Sequence, residues 1–185
     1  MIPKHQVLFV LAVVALLCNA GQVNAKSLTY GSGLPEIILF TDFFCPPCQK
    51  LESMIDKKLD SLVYNNTASV TFMPLPMSKH SMAAIAYFIS IADGQPYNVV
   101  TQIRKNLYSM AGSGSVNDNI VNNWVNEYRG KTYISPYIQT MQNIVIKYKV
   151  RSTPTCVIRY ANGRTQIFQG YQDIQAAING LAITN

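Results

Sequence analysis

Residues 36–51 read Glu-Ile-Ile-Leu-Phe-Thr-Asp-Phe-Phe-Cys-Pro-Pro-Cys-Gln-Lys-Leu, and the fold follows from how this stretch changes character. Ile37–Phe40 is an unbroken apolar run, the pattern of a strand buried on both faces. Two cysteines with two prolines between them come next. After Cys48 the apolar residues Leu51, Met54, Ile55, Leu59 and Leu62 recur at three- to four-residue spacing. That periodicity predicts an amphipathic helix from about Pro47 to Tyr64. The cysteines therefore lie where a buried strand hands over to a helix N-terminus. Unpaired N–H groups and the positive end of the helix dipole favour a thiolate there, and the thiolate is the form that attacks disulfides.

The two-residue spacing lets Cys45 and Cys48 close a small disulfide ring. In the reduced state one sulfur is exposed and the other sits inside the first helical turn. Cys45 is thus the expected nucleophile, and Cys48 the thiol that resolves the mixed disulfide. The intervening residues tune the pair. Pro46 and Pro47 carry no N–H, so only the Cys48 amide and the helix dipole remain to support the Cys45 sulfur. The expectation is a thiolate less favoured than in a strongly oxidising relative.

Toward the N-terminus, Leu28-Thr29-Tyr30 reads as a short strand and Gly31-Ser32-Gly33 as the turn into Glu36–Thr41. Met1–Gln6 carries Lys4 and His5, Val7–Leu17 is continuously apolar, and Val23-Asn24-Ala25 supplies small residues at cleavage spacing. This is the layout of a secretory signal peptide over residues 1–25, followed by a single domain over 26–185. The apolar run falls short of the roughly 20 residues a bilayer crossing takes, and the bulky Leu17 before Cys18 argues against a lipid anchor. Export without membrane insertion is the expectation.

Toward the C-terminus, Val70, Phe72 and Leu75 form a second buried strand, closed by Pro74 and Pro76. Residues 78–148 hold no convincing strand. Helices are predicted at Ser81–Ala92, Pro96–Tyr108, Ile120–Tyr128 and Pro136–Tyr148. Met110–Asn119 reads as a loop, and Ser135-Pro136 as a cap and first-turn pair. Thr155–Tyr160 is again strand-like. Asn162-Gly163 predicts a two-residue hairpin that pairs Arg164–Phe168 antiparallel to it, before a last helix at Asp173–Leu181. The order predicts one α/β domain whose helical insertion occupies about 78–148.

The chain has 15 Lys and Arg against 9 Asp and Glu, a formal charge of +6. These charges are scattered, and no basic run exceeds Lys57-Lys58, so the concentrated stripe that nucleic-acid binding needs is missing. Beyond the signal segment the cysteines are Cys45, Cys48 and Cys156. A pair two residues apart cannot staple a fold; a redox-active dithiol plus one buried thiol fits better. Cys156 reads as a small core side chain on a strand rather than a third redox thiol. His80 with the three cysteines would give a zinc set, but the spacing matches no common finger, and neither a metal nor a cofactor is expected. Lys147, Lys149 and Arg151 either raise the potential near Cys45 or are solvated. Met82, Ile85, Tyr87, Phe88 and Ile89 read as core rather than a peptide groove, and Trp124 as packing. Thr153-Pro154, directly before a strand, is a candidate cis peptide; a trans proline at a strand start is the commoner case.

Phe40–Leu51, with its Cys-Pro-Pro-Cys, resembles the active-site segment of thioredoxin-fold periplasmic thiol:disulfide interchange proteins, in particular the catalytic domain of the DsbC and DsbG type. Thr153-Pro154, Asn162-Gly163 and Gly170-Tyr171-Gln172 resemble the same domain's cis-proline loop, hairpin and final turn. The helical block is similar to the insertion shared with DsbA, and small plasmid-borne proteins of the TrbB type look alike. The resemblance implies a thioredoxin fold with a central mixed β-sheet and a helical insertion. It also implies a periplasmic location, with Thr153-Pro154 facing Cys45 and presenting backbone groups to an extended substrate. The implied partners are exported protein substrates and a DsbD- or DsbB-like membrane redox protein. Three departures stand out. Only some ten residues separate the cleavage site from the catalytic strand (Ala25 to Glu36), so the dimerisation domain of DsbC-type isomerases has no counterpart. The acidic residue that relatives carry six positions before the first cysteine is Leu39 here; Asp42 either substitutes for it or sits on the surface. The extra disulfide often found in the helical block is absent. The expected function is thiol:disulfide exchange with exported proteins; the alternative is a non-catalytic assembly module whose disulfide is structural.

Overall fold

Strand β2, Glu36–Thr41, is flanked by chain on every side because only its first residue reaches water. In the computed structural model, which describes residues 28–132 and 134–182, β2 pairs parallel with β3, Ser69–Pro74, and antiparallel with β4, Thr155–Arg159. β1, Thr29–Tyr30, runs antiparallel along the outer edge of β3, and β5, Thr165–Gln169, along the outer edge of β4. The result is a mixed five-stranded sheet in the order β1-β3-β2-β4-β5. The signal segment expected at 1–25 lies outside the described residues.

Alternation along the strands splits the core in two. Ile37 and Leu39 face the same side as Val70, Phe72, Cys156 and Ile158, the larger core. Ile38 and Phe40 face the other side with Met73 and Val157. Helices α1 (Pro46–Tyr64), α2 (Ser81–Ala92), α3 (Tyr97–Gly112), α4 (Asp118–Tyr128) and α6 (Tyr171–Asn179) contribute to the larger core, while α5 (Ile134–Tyr148) joins it through Ile134 and Tyr137 and covers the smaller one through Met141. Four helices thus run in succession between β3 and β4. Among the described residues no helix is long and apolar enough to cross a membrane.

Several boundaries differ from the sequence reading, each for a local reason. Helix α1 begins at Pro46, one residue early, because a proline in the first turn lacks only an N–H that would have no partner there. Helix α3 continues through Met110 and Ala111, expected as loop, because both pack on the core beside buried Leu107 and Tyr108. Helix α4 starts at Asp118, where the Asn117 side chain accepts from the Ile120 N–H at 3.1 Å. Helix α5 starts at Ile134, whose burial draws it into the helix ahead of Ser135-Pro136, so Ser135 is not its cap. Helix α6 begins at Tyr171, right after Gly170 at φ 80°, rather than at Asp173.

The hairpin between β4 and β5 is antiparallel as expected, but its turn is not of the two-residue type. The Gly163 N–H bonds the Tyr160 carbonyl at 2.9 Å and the Tyr160 N–H bonds the Arg164 carbonyl at 2.9 Å. Ala161 and Asn162 are therefore the central turn residues, and Gly163 at φ 80° follows them. A turn followed by a left-handed glycine suits the strand twist as well as a two-residue turn does, and leaves Asn162 free of a positive φ. The Asn162 side chain instead accepts from the Arg164 N–H at 3.0 Å.

Met82 also departs from expectation. It is 43% exposed and lines a shallow apolar hollow with Leu75, Pro76, Met77, Met141 and Val145. Ile85, Phe88 and Ile89 are buried, and Tyr87 stacks on buried Trp124 with ring centroids 5.6 Å apart.

Candidate active site

The strand-to-helix handover is made by three consecutive backbone bonds. The Cys45 N–H bonds the Asp42 carbonyl at 3.1 Å, and the Cys48 and Gln49 N–H groups bond the Cys45 carbonyl at 2.9 and 3.0 Å. Cys45 caps α1 with extended backbone angles, and Pro46 and Pro47 occupy the exposed first turn. This arrangement leaves Cys45 half-buried at the helix mouth and turns Cys48 inward, 1% exposed. The Cys48 amide, expected to support the Cys45 sulfur, is engaged by the Cys45 carbonyl instead. Cys48 is one of the first-turn N–H groups that lack an i−4 partner, and a tighter i−3 bond to the cap carbonyl satisfies it.

Both cysteines are free thiols, and the Cys48 Sγ–H points at Cys45 Sγ at 2.6 Å. The Cys45 Sγ–H in turn donates to the Thr153 carbonyl at 3.5 Å. Burial pushes the Cys48 thiol well above the usual thiol range, and the hydrogen bond to Cys45 adds to that, against a smaller opposing hydrogen bond from the Asp42 backbone.

The Thr153–Pro154 peptide is cis. The Pro154 carbonyl accepts from the Gly170 N–H at 3.0 Å, and the Thr155 hydroxyl donates to the Ser152 carbonyl at 2.7 Å. These bonds tie the loop to the start of α6 on one side and to its own backbone on the other. The Thr153 carbonyl is left directed at Cys45 Sγ. The structure thus brings Cys45, Cys48, Thr153 and Pro154 to one place, with Pro46 and Pro47 on its rim.

Asp42 is fully buried, not on the surface. One oxygen accepts from the Phe44 N–H at 2.9 Å, the other from the Met77 N–H at 2.9 Å, and the Ser81 hydroxyl lies 2.8 Å from both. A carboxylate offers about four acceptor positions, so this one is nearly filled by neutral donors. It pins the turn before Cys45 to the loop that opens α2, and so holds the dithiol still. Leu39 is buried in register with Cys156 on β4. Cys156 itself is wholly buried, and burial pushes its thiol up.

His80 packs its ring against Phe44 at 6.0 Å between centroids. Among the described residues no three His, Cys, Asp or Glu side chains converge as metal ligands would. Lys147, Lys149 and Arg151 are exposed. A Lys50 ammonium lies 3.1 Å from the Tyr171 hydroxyl and 4.4 Å above its ring, joining α1 to α6.

The sequence reading passed over one feature, a charge on the apolar face of α1. Glu52 follows Cys48 by four positions, so the two share a helix face. It is met by Arg104 of α3 at 2.6 Å, both side chains being at most 10% exposed. The Arg104 guanidinium lies 3.6 Å from the Phe72 ring centroid and 5.8 Å from that of Tyr108. The clue was present: Cys48, Leu51, Ile55, Leu59 and Leu62 define a stripe into which Glu52 falls.

The thioredoxin-like domain family matches residues 24–181 of this chain. Solved structures share the fold at low identity. The catalytic domain of Proteus mirabilis ScsC is 18% identical at a TM-score of 0.62, covering 91% of this chain and 96% of that one. Pseudomonas aeruginosa DsbA2 is 16% identical at 0.62, covering 88% and 97%. MdbA, a thiol-disulfide oxidoreductase from Corynebacterium diphtheriae, is 15% identical at 0.59, covering 86% and 91%. None of the curated proteins matches the chain in sequence.

Proposed function

The chain belongs to the thioredoxin-like domain family, and from that premise we propose that it is a thiol:disulfide oxidoreductase acting on exported proteins in the periplasm. The observation that carries this reading is the meeting of a half-exposed Cys45 sulfur, a buried Cys48 sulfur 2.6 Å from it and the Thr153 carbonyl 3.5 Å away. Cys45 attacks a substrate disulfide and forms a mixed disulfide, while one substrate sulfur leaves as a thiolate. Cys48 then attacks Cys45 Sγ, the ring disulfide closes, and the second substrate sulfur leaves. Two electrons pass from the dithiol to the substrate, and the reverse sequence oxidises a substrate dithiol. The Thr153–Pro154 loop receives the extended substrate segment, in the manner of an added strand. The neighbours in fold include DsbA-type proteins, whereas the active-site segment resembles the DsbC type. The direction of exchange follows from the reduction potential relative to the compartment and from a DsbD- or DsbB-like membrane partner.

Insulin reduction and refolding of a scrambled disulfide substrate test the reading. Wild type is expected to accelerate at least one of these reactions, and Cys45→Ser to fall to the buffer background. Equal activity of the two proteins would leave the disulfide as a structural element of an assembly module.

A further inference from the structure

The turn that carries Cys45 is gripped from the helical side by a residue with no part in the chemistry described so far. Gln49, directly after Cys48, touches this turn twice. Its backbone N–H bonds the Cys45 carbonyl at 3.0 Å, as the start of a helix requires. Its side-chain amide then folds back and donates to the Phe43 carbonyl, six positions earlier, at 2.9 Å. The two carbonyls lie on either side of Phe44, so one residue fixes both ends of the Phe43–Cys45 segment. Helix geometry supplies the first of these bonds. The second exists because position 49 carries a side chain of the right length with an N–H at its end.

The same amide is seated against the last turn of α3. The buried Phe43 ring meets Tyr108 of α3 at 5.1 Å between centroids and Phe88 of α2 at 5.5 Å. Gly112, one turn beyond Tyr108, faces the Gln49 amide closely: a Cβ there would stand 3.0 Å from its Oε1 and 3.3 Å from its Cδ. Room at position 112 thus decides where the amide sits. Asp42 anchors the start of the turn to the loop that opens α2, and Gln49 anchors its end to α1 beside the last turn of α3. The two prolines that follow Cys45 offer no N–H to hold the turn themselves.

We propose that Gln49 is a positioning residue for the resolving step: its amide clamps the Phe43–Cys45 turn and so keeps Cys45 Sγ in the line of attack of Cys48, while Gly112 leaves the amide its place. This rests on the dithiol exchange proposed above. The first attack is made by a half-buried sulfur at the helix mouth, and an incoming disulfide adjusts to a small displacement of it. The second attack is intramolecular. Its rate depends on the alignment of Cys48 Sγ, Cys45 Sγ and the leaving sulfur, and Cys48 is buried in the first helical turn and cannot follow a turn that shifts. A loosened turn therefore loses the second step before the first.

Stopped-flow reaction of the reduced protein with dithionitrobenzoate separates the two steps, because its two aromatic thiols leave one at a time. The first phase reports Cys45 attack and the second reports Cys48 resolution. Gln49→Met keeps the length of the side chain and removes the donor. It is expected to slow the second phase about tenfold, part of the roughly hundredfold that an ångström of misplacement costs, and to leave the first within about twofold. Gln49→Glu keeps the shape but turns an acceptor toward the Phe43 carbonyl. Its second phase, as a ratio to wild type at each pH, should be lowest at neutral pH and recover in acid, where the carboxyl regains a proton to donate; Gln49→Met should show no such recovery. Gly112→Ala leaves Gln49 in the chain and crowds its amide. Alanine is the better helix former, so unfolding stability should not fall, while the second phase slows about threefold. A second phase unchanged in Gln49→Met, a Gln49→Glu ratio that does not vary with pH, or slowing only where unfolding stability is also lost overturns the clamp. Gly112→Ala serves alone if the Gln49 variants do not fold. A wild type with no fast first phase would instead overturn the dithiol reading itself.

Discussion

Two carboxylates are buried on either side of the dithiol, and they are held in opposite ways. Asp42, three residues before Cys45, is surrounded by two amides and a hydroxyl, and among the described residues no cation is bonded to it. Glu52, four residues after Cys48, has one principal partner, and that partner is the charged Arg104. The first arrangement ties one carboxyl group to two backbone N–H groups and a side-chain hydroxyl from the turn before Cys45 and the segment that opens α2, so its effect is to fix their relative position. The second balances charge against charge with little hydrogen bonding to spare, so its effect depends on keeping both partners. Burial alone therefore does not assign a role to an acid; the identity and number of its donors does. An acid filled by neutral donors positions the segments that supply them, and an acid bound to one buried cation depends on that cation.

The contrast can be broken most forcefully at the ion pair. Glu52→Leu leaves the Arg104 guanidinium buried without its counter-charge, which costs roughly 3–5 kcal/mol. Glu52→Leu combined with Arg104→Met removes both charges and is expected to recover most of that loss, because buried pairs replaced by apolar residues are often neutral or better. Urea unfolding of the two variants measures the difference. Equal stability of the single and double variants would show that Arg104 finds another partner.

Asp42 comes next. Asp42→Ala leaves the Phe44 and Met77 amides and the Ser81 hydroxyl without their acceptor, at a cost of about 3 kcal/mol. Asp42→Asn keeps one acceptor oxygen and is expected to lose less, about 1 kcal/mol. The same unfolding experiment ranks them, and a cost for Asp42→Asn equal to that for Asp42→Ala would mean that charge, not acceptor count, matters there.

A pH series gives the smallest effect and sharpens the comparison from the other side. The folded protein holds the Glu52 proton more firmly than the unfolded chain, whose carboxyl titrates near its ordinary value of 4.5. The native state then binds more protons than the unfolded state as pH rises past that value. The associated stability is fully present below it and is lost as pH climbs through the raised folded value. Glu52→Gln should lack this decline, seen as a flatter profile of unfolding free energy in the weakly acidic range. A profile identical to that of wild type would remove Glu52 as its source.

What the sequence made legible was local. The apolar run Ile37–Phe40, the Cys-Pro-Pro-Cys and the stripe after Cys48 sit within one strand-turn-helix unit, and periodicity alone reads such a unit. Thr153-Pro154 could be matched to it because a family resemblance supplied the pairing across 108 positions. The Glu52–Arg104 contact spans 52 positions and has no pattern of its own, since a single charge in an apolar stripe looks like an interruption. Asp42 was ambiguous for the same reason: only the fold brings the Met77 amide and Ser81 to it. The end of α3 was missed because Gly112 and the following Ser-Gly-Ser read as loop, while the burial that prolongs the helix belongs to residues packed from elsewhere.

The most direct test of the central claim is to stop the exchange halfway. Cys48→Ala protein mixed with a disulfide-linked peptide should accumulate a covalent adduct through Cys45, seen by intact mass spectrometry and located by peptide mapping. Cys45→Ala protein should accumulate none. An adduct carried by Cys48 in the Cys45→Ala protein, or by Cys156 in either, would contradict the assignment of Cys45 as the attacking sulfur.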